Sequence, residues 1–110
     1  IEQMEDGDKR GFGYYWWIRG IDTKADPSKV KAKDAVYSAM GVGGQRIVVV
    51  PKYGMVIAMT GNQFSDPFFA NRLIDEYILP AVKSDKPIGE NPDGQALLAD
   101  KIAAFKQMSN

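Results

Sequence analysis

Two short apolar runs lie close together in the middle of the chain. Residues 45–50 (QRIVVV) and 55–60 (MVIAMT) are rich in β-branched side chains, and the tetrapeptide PKYG separates them. Runs of this kind, joined by a short connection that contains Pro and Gly, predict an antiparallel hairpin. Because both runs are almost continuously apolar, we expect both faces of the sheet to be covered, with helices on at least one side.

Two further segments predict strands. Residues 14–18 (YYWWI) form the third candidate, in which alternation would place Tyr15 and Trp17 on one face and the other three residues on the opposite face. Residues 35–40 (AVYSAM) form the fourth candidate. The segment between them, residues 22–34, is rich in Lys and Asp and predicts a solvated loop.

The remainder of the chain predicts two helices, of which the first occupies residues 66–83. Asp66 and Pro67 are a favourable cap and first position, and apolar residues follow at helical spacing: Phe69, Leu73, Ile74, Tyr77 and Ile78. Pro80 lacks a backbone N–H, so we expect this helix to kink or end near it.

The last helix is predicted at residues 92–108, after a linker at 84–90 that contains Pro and Gly. Asn91 and Pro92 repeat the cap-and-proline start, and the stripe expected to be buried consists of Leu98, Ile102 and Phe105. The order of elements predicts an α+β fold, an antiparallel sheet of about three to four strands packed by C-terminal helices. Residues 1–110 then form one segment, with a leading stretch at 1–10 and strands within 11–60.

The composition excludes several kinds of functional site. The 110 residues include no histidine and no cysteine, which excludes a His or Cys catalytic group, a disulfide and a zinc site of the usual kind. The 14 basic and 14 acidic side chains give zero net charge, whereas a nucleic-acid binder needs a basic excess. No apolar run approaches the length of a membrane span. We therefore expect no metal, no cofactor, no nucleic-acid partner and no membrane span.

The glycine cluster at residues 41–44 (GVGG) is the most informative local feature. Glycines permit a sharp turn and close approach to a ligand, and exposed N–H groups in such a turn can hold an oxyanion or a phosphate. The cluster is neither a P-loop nor a GxGxxG fingerprint. Two interpretations stay open: a turn or bulge that enters the strand at Gln45, or a backbone site for an anion.

The pattern from Ser28 to Lys31 formally matches Ser-x-x-Lys, the nucleophile motif of penicillin-binding enzymes. That chemistry needs the serine at a helix N-terminus inside a cleft. This match lies in a charged loop directly after Pro27, and we interpret it as a coincidence of loop composition.

Four stretches of the chain carry a family resemblance. They are GYYWWI at 13–18, YSAMGVGGQRIVVVP at 37–51, IAMTG at 57–61 and LIDEYILPA at 73–81. In this order they resemble the C-terminal part of the catalytic domain of β-lactamase-type serine hydrolases, which include class C β-lactamases, penicillin-binding proteins and related esterases. The resemblance runs from about Gly11 to Ala104, and residues 37–51 are its specific part.

The resemblance implies an oxyanion site at the glycine cluster. Family members carry Ser-x-x-Lys, then Tyr-x-Asn, then Lys-Thr-Gly or a variant with His or Trp on the strand that borders the active site. Counting back from Pro51 places the third motif on Ala39, Met40 and Gly41, so the next amide, that of Val42, corresponds to one of the two oxyanion-hole donors.

Two departures from the family pattern affect the expected substrate. Ala39 replaces Lys or His, and Met40 replaces Thr. No side chain at these two positions can hold a substrate carboxylate or assist a proton transfer. This disfavours recognition of a β-lactam and favours an esterase, a peptidase or an inactive member.

The resemblance implies that this chain is the C-terminal portion of a bacterial serine hydrolase, with a partial β-lactamase/transpeptidase-like fold. The nucleophile and the Tyr motif would lie upstream, so the segment would contain no catalytic residue and be inactive alone. Its partners would be the upstream remainder of the domain and, in the parent enzyme, an ester, amide or β-lactam substrate. Family habit implies a periplasmic, secreted or envelope-associated enzyme.

Two other expectations do not involve catalysis. A sheet that lacks its partner strands has an open edge, which favours a homodimer. The alternative function is a non-catalytic binding or interaction module, with Trp16, Trp17 and the edge at 41–44 as its aromatic surface. Exposed Trp side chains would support this alternative, and buried ones would support a core role.

Overall fold

The computed structural model describes residues 2–3 and 9–109, which form an antiparallel sheet followed by helices. The two-residue strand β1 (Glu2–Gln3) pairs with β2 at one edge. Five longer strands then follow in chain order across the sheet: β2 (Lys9–Gly13), β3 (Trp16–Gly20), β4 (Ala35–Gly41), β5 (Gln45–Val50) and β6 (Met55–Met59). The α+β class is confirmed, but the sheet is wider than the three to four strands predicted, and part of the leading stretch at 1–10 belongs to it. The rest of that stretch, Ile1 and residues 4–8, lies outside the described residues.

The predicted hairpin is confirmed as β5 and β6. The two strands pair in antiparallel register, with Val48 opposite Ile57. A 3₁₀ turn at Pro51–Tyr53 joins them and ends at Gly54, whose φ of 57° lies in the left-handed region. Glycine adopts this conformation without the steric penalty that a Cβ imposes, so the PKYG sequence fits the turn.

The strand predicted at residues 14–18 is confirmed for Trp16, Trp17 and Ile18 and wrong for Tyr14 and Tyr15. Tyr14 and Tyr15 form the two-residue turn between β2 and β3, with φ values of 51° and 68°, and β3 begins at Trp16. Positive φ at both turn residues matches the right-handed twist of the adjoining strands, although Asn and Gly usually occupy such positions. The aromatic residues of YYWWI favoured a strand where the chain forms a turn. The two tyrosines are 98% and 89% exposed.

Helical residues cover one face of the sheet. α1 (Phe69–Leu73) continues as a π-helical turn (Ile74–Ile78) and ends in α2 (Leu79–Ala81), just after Pro80. Within the described residues, the buried core contains side chains from both layers: Val36, Val48, Val50 and Ile57 from the strands, and Ile74 and Leu79 from the helical layer.

The first helix differs from its predicted form in two respects. Its N-cap is Phe68, and the Asp66 carboxylate accepts a hydrogen bond from the Phe68 N–H in the preceding turn instead of capping the helix itself. The predicted apolar stripe is only partly buried, because Tyr77 is 66% exposed. The polar side chain of Asn71 lies on the buried side instead.

The opposite face of the sheet is uncovered in the described part of the chain. The prediction that helices pack on at least one side is confirmed, and coverage of both faces stays a prediction. Strand register places the following side chains on the uncovered side, which we call the open face: Trp16, Ile18, Tyr37, Ala39, Ile47, Val49, Val56 and Ala58. Ile47 is 49% exposed and Val56 is 65% exposed. The near-continuous apolarity of β5 and β6 thus produces one core face and one apolar surface.

The last helix has the predicted bounds but not the predicted packing. α3 (Pro92–Met108) starts as expected, since the Asn91 side chain accepts a hydrogen bond from the Gly94 N–H. None of its residues is buried. The stripe of Leu98, Ile102 and Phe105 is 60%, 47% and 69% exposed, so the prediction that it packs on the sheet is wrong.

Because the first helix is packed on the sheet and α3 is exposed, we expect alanine substitution of an isoleucine to cost different amounts of stability in the two helices. We expect Ile74→Ala to lower the free energy of unfolding by about 2–5 kcal/mol, because Ile74 is 2% exposed and its loss leaves a cavity. Ile102→Ala in α3 is the matched control, and we expect it to cost less than about 1 kcal/mol. Urea unfolding of the two variants measures both values. An equal loss would mean that α3 buries its stripe in solution.

Candidate functional site

The connection between β4 and β5 forms the candidate site. β4 ends at Gly41 and β5 begins at Gln45, so Val42, Gly43 and Gly44 make a three-residue turn. Gly43 and Gly44 have φ values of 79° and 94°. Residues that carry a Cβ rarely adopt these backbone angles, which explains why two glycines follow Val42. Of the two interpretations of the cluster, the turn into β5 is confirmed, and anion binding stays a prediction.

The segment that follows β6 packs against this turn. The Gln63 N–H donates to the Gly43 carbonyl at 3.0 Å, and the Gln45 Nε2 donates to the Gly61 carbonyl at 2.5 Å. Gly61 approaches the turn so closely that a Cβ there would lie 2.7 Å from the Gly43 oxygen. The backbone of the turn is therefore held by direct contact with a second segment.

Arg46 joins the turn to the first helix from inside the protein. The residue is 5% exposed, and its Nη1 donates to the carbonyls of Gly41 at 3.0 Å and Gln45 at 2.8 Å. Its Nη2 donates to the Pro67 carbonyl at 2.6 Å, and its Nε donates to the Asn71 Oδ1 at 2.8 Å. A buried charge is tolerated where its donors are satisfied, and these four acceptors supply that satisfaction.

The three residues that the resemblance assigns to the third motif lie at the end of β4 with different surroundings. Met40 lies on the covered face, where the Asn71 Nδ2 lies 3.9 Å from its Sδ. Ala39 lies on the open face, and Gly41 is exposed at the end of the strand. Val42 follows in the turn and is 81% exposed. All four predicted residues, Ala39, Met40, Gly41 and Val42, therefore belong to one strand end and its turn.

Two clefts border this strand end. The first, with a volume of about 530 Å³, is lined on the open face by Ala39, Gly41, Gln45, Ile47, Ala58 and Thr60. The second, with a volume of about 270 Å³, lies beside the turn and is lined by Met40, Val42, Gly43, Gln63, Phe64 and Pro67. Ala39, Ile47 and Ala58 make the first cleft mainly apolar, which suits an uncharged group better than a carboxylate.

Two more arginines support the same layer. Arg19, 5% exposed, pairs with Asp75 of the π-helical turn. Arg10, 2% exposed, places its guanidinium carbon 5.9 Å from the centre of the Phe68 ring, within the range of a cation–π contact. Helix α1 and its continuation are thus attached to the sheet at several points, and Arg46 is the buried arginine that contacts the candidate site.

An ion pair fixes the chain just before α1. Arg72 pairs with the Asp66 carboxylate, which also accepts from the Phe68 N–H at 3.2 Å. The bond from Arg72 lowers the pKa of Asp66, and the Phe68 N–H acts in the same direction. Because the folded state prefers the ionised carboxylate, this contribution to stability is present at neutral pH and is lost as the pH falls through the lowered pKa.

The other sequence candidates lie away from this site or differ from expectation. Ser28 lies in an exposed 3₁₀ turn and its Oγ bonds the Asp26 carboxylate at 2.7 Å, which agrees with a loop coincidence. Trp16 and Trp17 are half-buried, so their exposure favours neither an aromatic binding surface nor a role in the core. Within residues 2–3 and 9–109, no cluster of three or more acidic, His or Cys side chains could hold a metal ion.

Comparisons of the chain with protein-family models, with curated proteins and with solved structures find no match. Family membership therefore stays a prediction that depends on the resemblance of the sequence. In the described part of the chain, no helix is long and apolar enough to cross a membrane.

Sequence reasoning missed Arg46 and Asn71. Arg46 is the one charge in the run QRIVVV, and a lone arginine at a covered position of an apolar strand signals a buried polar contact. Asn71 carried no such signal, because a polar residue in a predicted helix is ordinarily solvated.

The close contact between the turn and the following segment can be tested with a glycine pair. We expect Gly61→Ala to destabilise the protein by about 1–3 kcal/mol, since the new Cβ would collide with the Gly43 carbonyl. Gly13→Ala is the control, because a Cβ at that position meets nothing within 4 Å. Urea unfolding and the amide chemical shifts of Gly43 and Gln63 measure the effect. Equal stability of both variants, with unchanged shifts, would contradict this packing.

Proposed function

We propose that this chain is the C-terminal part of the catalytic domain of a β-lactamase-type serine hydrolase, and that it supplies one oxyanion-hole amide, the N–H of Val42. The observation that carries the proposal is the hydrogen bonding and the position of the peptide group between Gly41 and Val42. Its carbonyl is bonded to Arg46 inside the protein, and it lies in an exposed turn beside two clefts. A fixed backbone donor at the edge of an apolar cleft suits the stabilisation of an oxyanion.

The direction of the Val42 N–H follows from peptide geometry. The bond is trans, so its C=O and N–H point in opposite directions. Since the Gly41 oxygen accepts from the Arg46 side chain, the Val42 N–H is directed away from that guanidinium. Strand β3 pairs with β4 only as far as Ser38, so no β3 residue pairs with the end of β4 at Gly41.

The proposed reaction divides its parts between this chain and an upstream segment. A serine from upstream attacks the carbonyl carbon of an ester, a tetrahedral oxyanion forms, and its collapse breaks the ester bond and releases the protonated alcohol. Water then hydrolyses the acyl-enzyme through a second oxyanion. The Val42 N–H donates to the oxygen that carries negative charge in both steps, and Ala39 contributes an apolar wall.

The surfaces left uncovered give an independent reason to propose an upstream partner. The open face exposes large apolar side chains, including Ile47 and Val56, and β6 pairs only with β5 in the described part of the chain. Contiguous apolar surface and an unpaired strand edge are usually covered by another segment or chain. In the proposal the upstream remainder of the catalytic domain covers both, whereas a homodimer would cover them with a second copy.

A specific observation favours the binding module as the second candidate function. Tyr14 and Tyr15 are almost fully exposed at the tip of the turn between β2 and β3. Exposed aromatic side chains are suited to stacking on a sugar or a base. This module would use the two tyrosines, in place of the tryptophans that the sequence suggested.

The proposal predicts a contrast between two substitutions of Val42, measured in a protein that joins the upstream segment to this chain. We expect Val42→Pro to lower kcat for a chromogenic ester by about 10²- to 10³-fold, because proline has no N–H to donate. Val42→Ala keeps the amide and should retain activity within about threefold.

The controls separate folding from chemistry. Circular dichroism establishes that both variants are folded, and the 110-residue chain alone should show no turnover. Equal kcat values for the two folded variants would contradict the oxyanion role of Val42.

A further inference from the structure

The bond between Arg46 and the Gly41 carbonyl has a consequence for the amide on the other side of the same peptide group. The carbonyl of Gly41 and the N–H of Val42 belong to one planar unit. A hydrogen bond from a cation to the carbonyl oxygen draws electron density from the peptide nitrogen. The N–H then carries more positive charge and becomes a stronger donor.

The geometry of Arg46 is suited to this effect. Its Nη1 lies 3.0 Å from the Gly41 oxygen, and the residue is 5% exposed, so solvent screens its charge weakly. The guanidinium is also fixed at its other donors, since Nη2 bonds the Pro67 carbonyl and Nε bonds Asn71. A planar group with several fixed bonds has little freedom to turn away from the carbonyl.

A comparison with Arg19 distinguishes the effect of Arg46 on the Val42 amide from its contribution to holding the helical layer on the sheet. Arg19 is equally buried on the covered face and pairs with Asp75 of the helical layer. Its Nη1 donates to the Gly20 carbonyl at 3.0 Å, at the far end of β3 from the glycine turn. Both arginines join the helical layer to the sheet, but Arg46 is the one bonded to the peptide that precedes Val42.

We propose that Arg46 is the positioning residue of the Val42 amide: it orients the Gly41–Val42 peptide so that the N–H faces outward, and it strengthens that N–H as a donor to an oxyanion. This inference rests on the proposed function for its use in catalysis. The coupling between the guanidinium and the amide is a property of this chain and is measurable without activity.

The first experiment measures hydrogen exchange of the Val42 amide by nuclear magnetic resonance in the 110-residue chain. Arg46→Gln keeps an N–H donor but removes the charge, and we expect base-catalysed exchange of the Val42 amide to become roughly two- to tenfold slower because the amide is less acidic. Arg46→Lys keeps the charge and should stay within about twofold of the original rate. A purely structural role predicts the opposite sign, since a loosened turn exchanges faster.

The control variant is Arg19→Gln, which removes a buried charge from the same face and should leave the Val42 exchange rate unchanged. Unchanged or faster exchange in a folded Arg46→Gln variant would overturn the inference. If Arg46→Gln does not fold, Arg46→Lys decides through the same exchange rate. We expect the Val42 rate to stay within about twofold of the original because the charge is kept, and faster exchange in a folded Arg46→Lys variant would overturn the inference.

The second experiment measures ester hydrolysis by the protein that also carries the upstream segment. We expect Arg46→Gln to lower kcat and kcat/KM equally, by about tenfold, because the lost interaction strengthens in the transition state. Arg19→Gln should leave kcat unchanged below its unfolding temperature. A rise in KM at constant kcat would overturn the positioning role.

The two proposals fail in different ways. Equal activity of Val42→Pro and Val42→Ala would contradict the proposed function while slowed Val42 exchange in Arg46→Gln still supported the coupling. Retained dependence of activity on the Val42 N–H, together with no response to Arg46→Gln, would contradict only the inference about Arg46.

Discussion

The buried guanidinium of Arg46 is the interaction on which the candidate site depends. It bonds the end of β4, its own strand, the segment before α1 and the first turn of α1 itself. A charge at this depth is unfavourable unless its donors are satisfied, so the four segments must take the positions that satisfy it. The conformation of the glycine turn is thus coupled to the packing of the helix on the sheet.

The second constraint is that helical residues cover only one face of the sheet in the described part of the chain. On one face, helical residues cover a core that includes Val48 and Ile74. On the other, Ile47 and Val56 are exposed, although they lie in the same two apolar strands. The residues that the resemblance assigns to the third motif occupy both environments, with Met40 on the covered face and Ala39 on the open face. The proposed enzyme uses this division, because one face supports the turn and the other provides a wall for a substrate.

Much of the fold was predictable from the sequence, and the failures have physical causes. Short apolar runs and the turn residues between them located β4, β5 and β6, and capping residues located α3. The turn at Tyr14 and Tyr15 was missed because aromatic residues favour strands and rarely adopt positive φ. The stripe of α3 was correctly recognised as apolar, but periodicity shows only which side of a helix is apolar and not what covers it. The backbone of the candidate site was predictable from the glycines. Its support by Arg46 was not, because the Pro67 and Asn71 partners lie 21 and 25 residues away in the chain.

The most direct measurement is a structure of a protein that carries both the proposed upstream segment and this chain, after reaction with an ester-mimicking phosphonate. The phosphonyl oxygen of such an adduct stands in for the oxyanion. We predict that it lies about 2.7–3.1 Å from the Val42 nitrogen, with the Gly41 carbonyl still bonded to Arg46. A phosphonyl oxygen bound elsewhere, or a serine adduct distant from this turn, would contradict the assignment of the site.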